Sequence, residues 1–244
     1  MSEIRTVIPD EIDQYLEAMV RTGPFASKAE LVRAALVSYA QETGPLAQGF
    51  DKELIFSPDG RLYQVEYARE SARRGAPVAG LVYNGGVLLS AAYRKGSSVP
   101  LVGLKHTGKV TALGSSVLLA GSGLVADIAM VVHELGSFAG TTPEGWSEAL
   151  TSIFWRATLD RNRRPLGASM LLATTLGGRP RLFLVDPSGS ALEADGFLMG
   201  SVPEGAADRL SKEYRPGSAK EAEAFASSLL KESALVLSHH HLTV

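Results

Sequence analysis

An α+β fold with mainly antiparallel sheets is what this chain predicts, on three observations. Strand candidates come in adjacent pairs: Val78–Tyr83 with residues 87–93 around Asn84-Gly85-Gly86, then residues 110–113 with 117–120. An Asn-Gly corner tolerates positive φ and so favours a hairpin. Two helical patterns follow as a block. Strands then return at residues 168–175 and 181–186, before two further helices near residues 204–214 and 218–232. Strands and helices grouped in blocks, without strict alternation, pair as hairpins and so build antiparallel sheets.

Each element has its own signature. Residues 126–138 carry Ile128, Val131, Val132 and Leu135 along one side. Pro143 opens a longer helix in which Trp146, Ala149, Leu150, Ile153, Phe154 and Ala157 follow the i, i+3, i+4, i+7 rule. Pro187-Ser188-Gly189 turns the chain into Ala191-Leu192.

Composition bounds the function. A length of 244 residues gives room for one medium domain and a small appendage. A net charge of -2 leaves no field to draw nucleic acid or membrane from a distance. With no cysteine, a disulfide framework, a thiol nucleophile and a cysteine-ligated metal are all excluded. Met-Ser-Glu-Ile-Arg is not a basic-then-apolar leader, and Asp127 interrupts the best apolar run. A cytoplasmic protein is expected.

The expected seam lies at residues 44–49, between a small unit at 1–43 and a body at 50–244. Residues 4–8 read as a strand, and Pro9-Asp10 opens a helix carrying Ile12, Leu16, Met19 and Val20. Thr22-Gly23-Pro24 stops it. Ser27, with Glu30 three residues on, caps a second helix, which Gly44-Pro45 is expected to end. A strand and two helices cannot enclose a core alone, so this unit should dimerise.

The small unit resembles the ribbon-helix-helix family of antitoxins and repressors. The resemblance rests on Val7-Ile8-Pro9-Asp10-Glu11, Gly23 and the run from Phe25 to Leu36. It implies a two-stranded antiparallel ribbon whose outward side chains read the DNA major groove. If Ile4, Thr6 and Ile8 face inward, Glu3, Arg5 and Val7 face out, and Arg5 is the one possible DNA contact. Residues 1–44 hold four basic side chains against seven acidic ones, a net of -3 per copy. That balance disfavours DNA and leaves dimerisation as the preferred role.

Residues 56–70 are the most specific segment. Ser57-Pro58-Asp59-Gly60 suits a type I turn. Residues 61–74 then read as a helix with Leu62, Val65, Ala68 and Ala72 on one stripe and Tyr63 and Tyr67 on a second face. This segment resembles the one that marks α-type subunits of the proteasome core particle. The likeness continues through Arg74-Gly75, Gly86-Val87-Leu88-Leu89, Ser122-Gly123-Leu124-Val125-Ala126-Asp127, Arg164-Pro165-Leu166-Gly167, Asp186-Pro187-Ser188-Gly189 and Gly200-Ser201. It implies a four-layer α-β-β-α sandwich, with residues 61–74 as an extra helix that joins ring contacts and guards an entry pore.

Peptidases of that superfamily use an N-terminal threonine, freed by cleavage after a glycine, whose amine activates its own hydroxyl. At the matching place stands Gly75-Ala76-Pro77, and Ala92-Tyr93-Arg94 replaces the usual acidic site. No catalytic residue is therefore expected.

Lys109 matches a lysine that, by the resemblance, faces a pocket between ring neighbours and pairs with the carboxylate of a docking activator such as an ATPase. Gly108 replaces the usual glutamate before it, so a solvated strand-end lysine stays open as the other reading. Asp51, Pro58 and Tyr67 match the family's gate positions, and Phe50 replaces a tyrosine there.

His106 and His133 are isolated. His239, His240 and His241 adjoin, and three neighbours on a strand cannot all face one metal. No phosphate-cradling loop, nucleophile elbow or zinc spacing occurs, so neither metal nor cofactor is expected.

The expected function is a non-catalytic proteasome α-like scaffold or gating subunit in a homo-oligomer, possible partner of a β-type threonine peptidase. The alternative is a DNA-associated regulator that uses the body for oligomerisation. The family's head-to-tail ring of seven conflicts with a two-fold module, so an even number of subunits with paired modules is expected.

Overall fold

A computed structural model of the chain describes residues 7–23, 25–47, 52, 54–94, 109–231 and 235–244. It divides into two compact units, Met1–Arg61 and Leu62–Val244.

In the first unit, α1 (Asp10–Thr22) starts after Pro9, and α2 (Lys28–Ala47) follows a short turn. The Ser27 side chain accepts from the Glu30 N–H at 3.2 Å, and the Glu30 carboxylate reaches back to the Ala26 N–H at 2.8 Å. This is the predicted reciprocal cap, its return bond displaced by one residue. Lys28 spans the two helices, its ammonium 2.8 Å from Asp13 and 3.0 Å from Glu17.

One expectation is corrected here: α2 continues through Gly44-Pro45 to Ala47. Pro45 falls in the final turn, where its missing N–H removes one bond shortly before the helix ends. Most of the anticipated first strand lies outside the described residues, and Val7 and Ile8 form none. The Ser57-Pro58-Asp59-Gly60 turn closes with Gly60 N–H donating to Ser57 O at 2.8 Å.

The second unit opens with α3 (Tyr63–Arg73), which buries Val65, Ala68 and Ala72 as the apolar spacing predicts. Tyr63 and Tyr67 do not share one environment, since Tyr63 is buried and Tyr67 exposed. One sheet has the order β8 (Gly196–Met199), β1 (Val78–Tyr83), β2 (Gly86–Arg94), β9 (Leu235–Thr243). The other runs β3 (Val110–Ala112), β4 (Val117–Gly123), β5 (Ala168–Thr174), β6 (Arg181–Val185), β7 (Ala191–Glu193). All observed pairs are antiparallel. In the β1–β2 corner, Gly85 alone takes positive φ, at 88°.

Strand alternation explains the layers. On β4, Val117 and Leu119 face one way, with Met170 and Leu172 of β5, and pack under α4 (Val125–Leu135) and α5 (Pro143–Leu159). Their neighbours Leu118, Ala120, Leu171 and Ala173 face the other way, meeting Val78, Val87, Leu89 and Met199 of the facing sheet. The far side of that sheet carries Ala79, Leu81 and Leu88 beneath Ala222, Ala226 and Leu230 of α7 (Ala219–Leu230), with Leu210 of α6 (Ala206–Glu213) beside them. Helices, sheet, sheet, helices: the second unit is a four-layer α-β-β-α sandwich.

The helix starts are chemically explicit. Thr142 accepts from Gly145 N–H at 3.1 Å just before Pro143, and Ser218 with Glu221 makes a full capping box. Among the described residues, no helix is long and apolar enough to cross a membrane.

Candidate functional site

The chemistry of the sandwich would centre on residues 75–77, where α3 passes into β1. Gly75 donates to Ala72 O at 3.2 Å, and its own carbonyl accepts from Ser201 N–H at 2.7 Å. The Ser122 hydroxyl lies 3.1 Å from Ala76 O and 3.2 Å from Ala72 O, and Ala92 N–H reaches Pro77 O at 3.0 Å. A Cβ on Gly75 would sit 2.1 Å from Gly123 N, so only glycine lets the chain pass this closely. Gly200, at φ +84°, is needed for the same reason: a Cβ there would meet the Ser122 hydroxyl at 2.4 Å.

The corner is braced from outside. Both Asp127 oxygens accept from the Arg164 guanidinium at 2.7 Å, and the Gly167 N–H donates to the same carboxylate at 2.7 Å. Gly167 O in turn accepts from Ser71 on α3 at 3.2 Å. The hydrogen bond to Asp127 raises the Arg164 pKa above its ordinary value. The carboxylate is buried while the guanidinium is half exposed, so the pair keeps part of its hydration.

Lys109 stands at the start of β3, and its ammonium donates to the carbonyl of Ala92 at 2.9 Å. Burial lowers its pKa from 10.5 to about 8, because the charged form loses water. The side chain is therefore no fully solvated strand-end lysine. His106 and Gly108 lie outside the described residues, as do Arg5, Phe50 and Asp51. Pro58 is an exposed turn residue of the first unit, and Tyr67 is an exposed residue of α3 in the second.

On β9, alternate histidines separate as strand geometry requires. His239 lies 2.7 Å from the Ser90 hydroxyl and 3.2 Å from that of Ser227. His241 contacts Glu223 at 2.6 Å and Tyr83 at 3.2 Å. His240 faces away, with a buried Nε2 that has no partner, and burial followed by its two histidine neighbours lowers its pKa. No cluster of three or more metal-ligating side chains occurs among the described residues.

Comparison with known proteins decides the family. Residues 72–241 match the family model described as "Proteasome subunit", and residues 50–70 match the N-terminal signature of the α-type proteasome subunits. The chain belongs to the proteasome subunit family, and to its α type. It is 34% identical over 180 residues to proteasome α subunit 2 of Haloarcula marismortui, covering 70% of this chain and 73% of the relative. Against the proteasome α subunit of Methanococcus maripaludis it is 34% identical over 178 residues, covering 69% and 68%. With that of Methanocaldococcus jannaschii it shares 35% over 170 residues, covering 66% and 64%.

As an α-type member the chain is non-catalytic, and its own residues give the chemical reason. Ala76 has no hydroxyl, Pro77 offers only a tertiary amide, and the carbonyls of residues 75 and 76 are held in hydrogen bonds. Ala92-Tyr93-Arg94 stands where the resemblance implied an acidic residue, and the Lys109 ammonium donates to the Ala92 carbonyl. The Asp127–Arg164 fork and the histidine contacts escaped sequence reasoning, since nothing in the spacing of those residues pairs them.

Proposed function

We propose that this chain is a cytoplasmic scaffold and gating subunit that assembles into a ring or related homo-oligomer and joins a β-type threonine peptidase in protein degradation. The observation that carries the reading is one of contrast. The segment diagnostic of the α type, residues 50–70, precedes a junction whose nucleophile position is filled by Ala76. A further support is the outer face of α4 and α5. Val125 is 74% exposed, Trp155 52% and Leu159 79%. Met130, Trp155 and Leu159 line an open groove of ≈ 730 Å³, rimmed by the paired charges of Glu134 and Arg156. Apolar side chains gathered at one exposed face suit a protein contact.

In this reading residues 1–43 belong to a ribbon-helix-helix dimerisation domain whose second helix runs on past Pro45 to Ala47, and residues 50–244 form the α-like body. Lys109 receives the carboxylate of a docking activator, and Phe50, Asp51, Pro58 and Tyr67 belong to the gate and ring contacts. The test is co-purification with a β-type subunit bearing threonine after its cleavable glycine. A joint high-mass complex, with inhibitor-sensitive peptidase activity from the β chain, is expected. Failure of both self-assembly and association would overturn the proposal.

A further inference from the structure

Trp155 breaks the pattern of α5. Trp146, Leu150, Ile153, Phe154 and Ala157 are buried, as the apolar spacing requires, but Trp155 points outward and is half exposed. Its indole is nevertheless fixed. The five-membered ring lies flush against Gly189, where a Cβ would sit 2.2 Å from Cδ1 and 2.7 Å from Nε1. Gly189 belongs to the turn between β6 and β7, its N–H donating to Asp186 O at 2.9 Å. The Thr158 hydroxyl of α5 donates to Pro187 O at 3.0 Å, so the turn is tied back to the helix that carries Trp155. An aromatic ring set in place before anything binds loses little entropy when a partner arrives.

Beside the ring opens a groove of ≈ 560 Å³, whose lining includes Ser147, Glu148, Thr151, Trp155, Ser188 and Ser190. Glu148 and Trp155 lie two turns apart on one face of α5. The cations around this groove are already matched: Arg69 to Asp186 at 2.8 Å, Arg156 to Glu134, and Arg181 to both Glu144 and Glu193. Glu148 has no cationic partner among the described residues. One turn before it, Glu144 shares its single arginine with Glu193, so the groove keeps an excess of negative charge. The hydroxyls of Ser147 and Ser190 carry no hydrogen bond among the described residues either.

An open aromatic ring, an unmatched carboxylate and two spare hydroxyl acceptors suit a flat cation with several donors. A guanidinium stacks on an indole and donates to a carboxylate at the same time, which a compact ammonium does less well. We propose that this groove receives the guanidinium of an arginine on the protein partner that covers α5, laid over Trp155 and paired with Glu148. This rests on the reading of the exposed α4–α5 face as a protein contact, because Trp155 borders both that groove and this one. Buried aromatic and arginine anchors carry most of the binding energy of such contacts.

The full-length protein labelled with 5-fluorotryptophan tests the groove by fluorine NMR. The chain has two tryptophans, and Trp155→Phe identifies the signal of Trp155. The probe is N-acetylarginine amide, with N-acetylcitrulline amide as its neutral isostere. The arginine probe should shift the Trp155 signal saturably, with affinity about tenfold weaker in Glu148→Gln, and the citrulline probe should not. No shift, an equal response to citrulline, or an unchanged affinity in Glu148→Gln overturns the inference. Co-purification with the β-type subunit supplies the second arm, in which Glu148→Arg should recover less of it than the natural chain does. Equal recovery overturns the inference while the proposed function stands. The expected response to the probes, with no β-type subunit bound by the natural chain, keeps the arginine site and overturns the proposed function.

Discussion

Asp127 and Arg164 meet as a fork, each carboxylate oxygen 2.7 Å from a guanidinium nitrogen, and one of those oxygens also accepts from the Gly167 N–H. The fork ties the first turn of α4 to the loop before β5, next to the α3–β1 corner. Charge-assisted, bidentate bonds are the strong ones. Asp127→Ala should therefore destabilise the fold by about 1.5–3 kcal/mol, the range for hydrogen bonds to charged groups. Urea unfolding of variant and natural protein measures it, and a change under about 0.5 kcal/mol would place the pair among surface ion pairs of little worth.

Restoring a hydroxyl should not restore a peptidase. In Ala76→Thr the new side chain has no free α-amine to act as base, because residue 75 remains attached. The expected result is no turnover of fluorogenic peptides by the purified variant, and no labelling by threonine-directed inhibitors. Inhibitor-sensitive turnover would mean that the peptide bond after Gly75 is cut, although the Ser201 N–H holds that bond's own carbonyl and Ser122 the carbonyl of the next residue.

Lys109 sets a pH dependence with a definite sign. Its pKa is about 8 in the fold and 10.5 when solvated, so the unfolded chain binds its proton more tightly. Below pH 8 the burial penalty on the ammonium is fully present. Between about pH 8 and 10.5 the folded lysine is neutral while the unfolded one is still charged, so this group's contribution to stability rises with pH. Lys109→Met should remove that rise, whatever its effect at neutral pH. Denaturant titrations at pH 7.5 and 9.5 on both proteins provide the comparison; an equal slope in the variant would refute the assignment.

Local chemistry was readable in the sequence wherever a few neighbouring residues determine the backbone. Pro143, Ser27 before Glu30 and the Asn84-Gly85 corner each announce an element that the fold contains. The resemblance, with Ala76 at the position it assigns to the nucleophile, also implied that the nucleophile is missing. Strand β8 passed unnoticed because four residues from Gly196 to Met199 have little pattern of their own and are held by pairing with β1, far earlier in the chain. Gly44-Pro45 looked like a helix end because a breaker signal cannot say how many residues the helix still keeps after it. Tyr63 and Tyr67 share a spacing but differ in burial, a difference set by what packs on α3. The Asp127–Arg164 fork spans 37 residues and exists only once α4 and the loop before β5 are packed together.

The two sheets impose different timetables on a chain emerging from the ribosome. Strands β3 to β7 pair in sequence order, so their sheet can grow by adding each strand to the last. The other sheet cannot. Its β1–β2 hairpin is made early, but both flanks wait for β8 and β9, which arrive more than a hundred residues later. Until then Val87, Leu88 and Leu89 sit in a hairpin with two open edges, which is the circumstance that invites off-pathway strand pairing. Synthesis of this protein should thus be slowest to reach safety at its final step, the closing of residues 235–243 along β2.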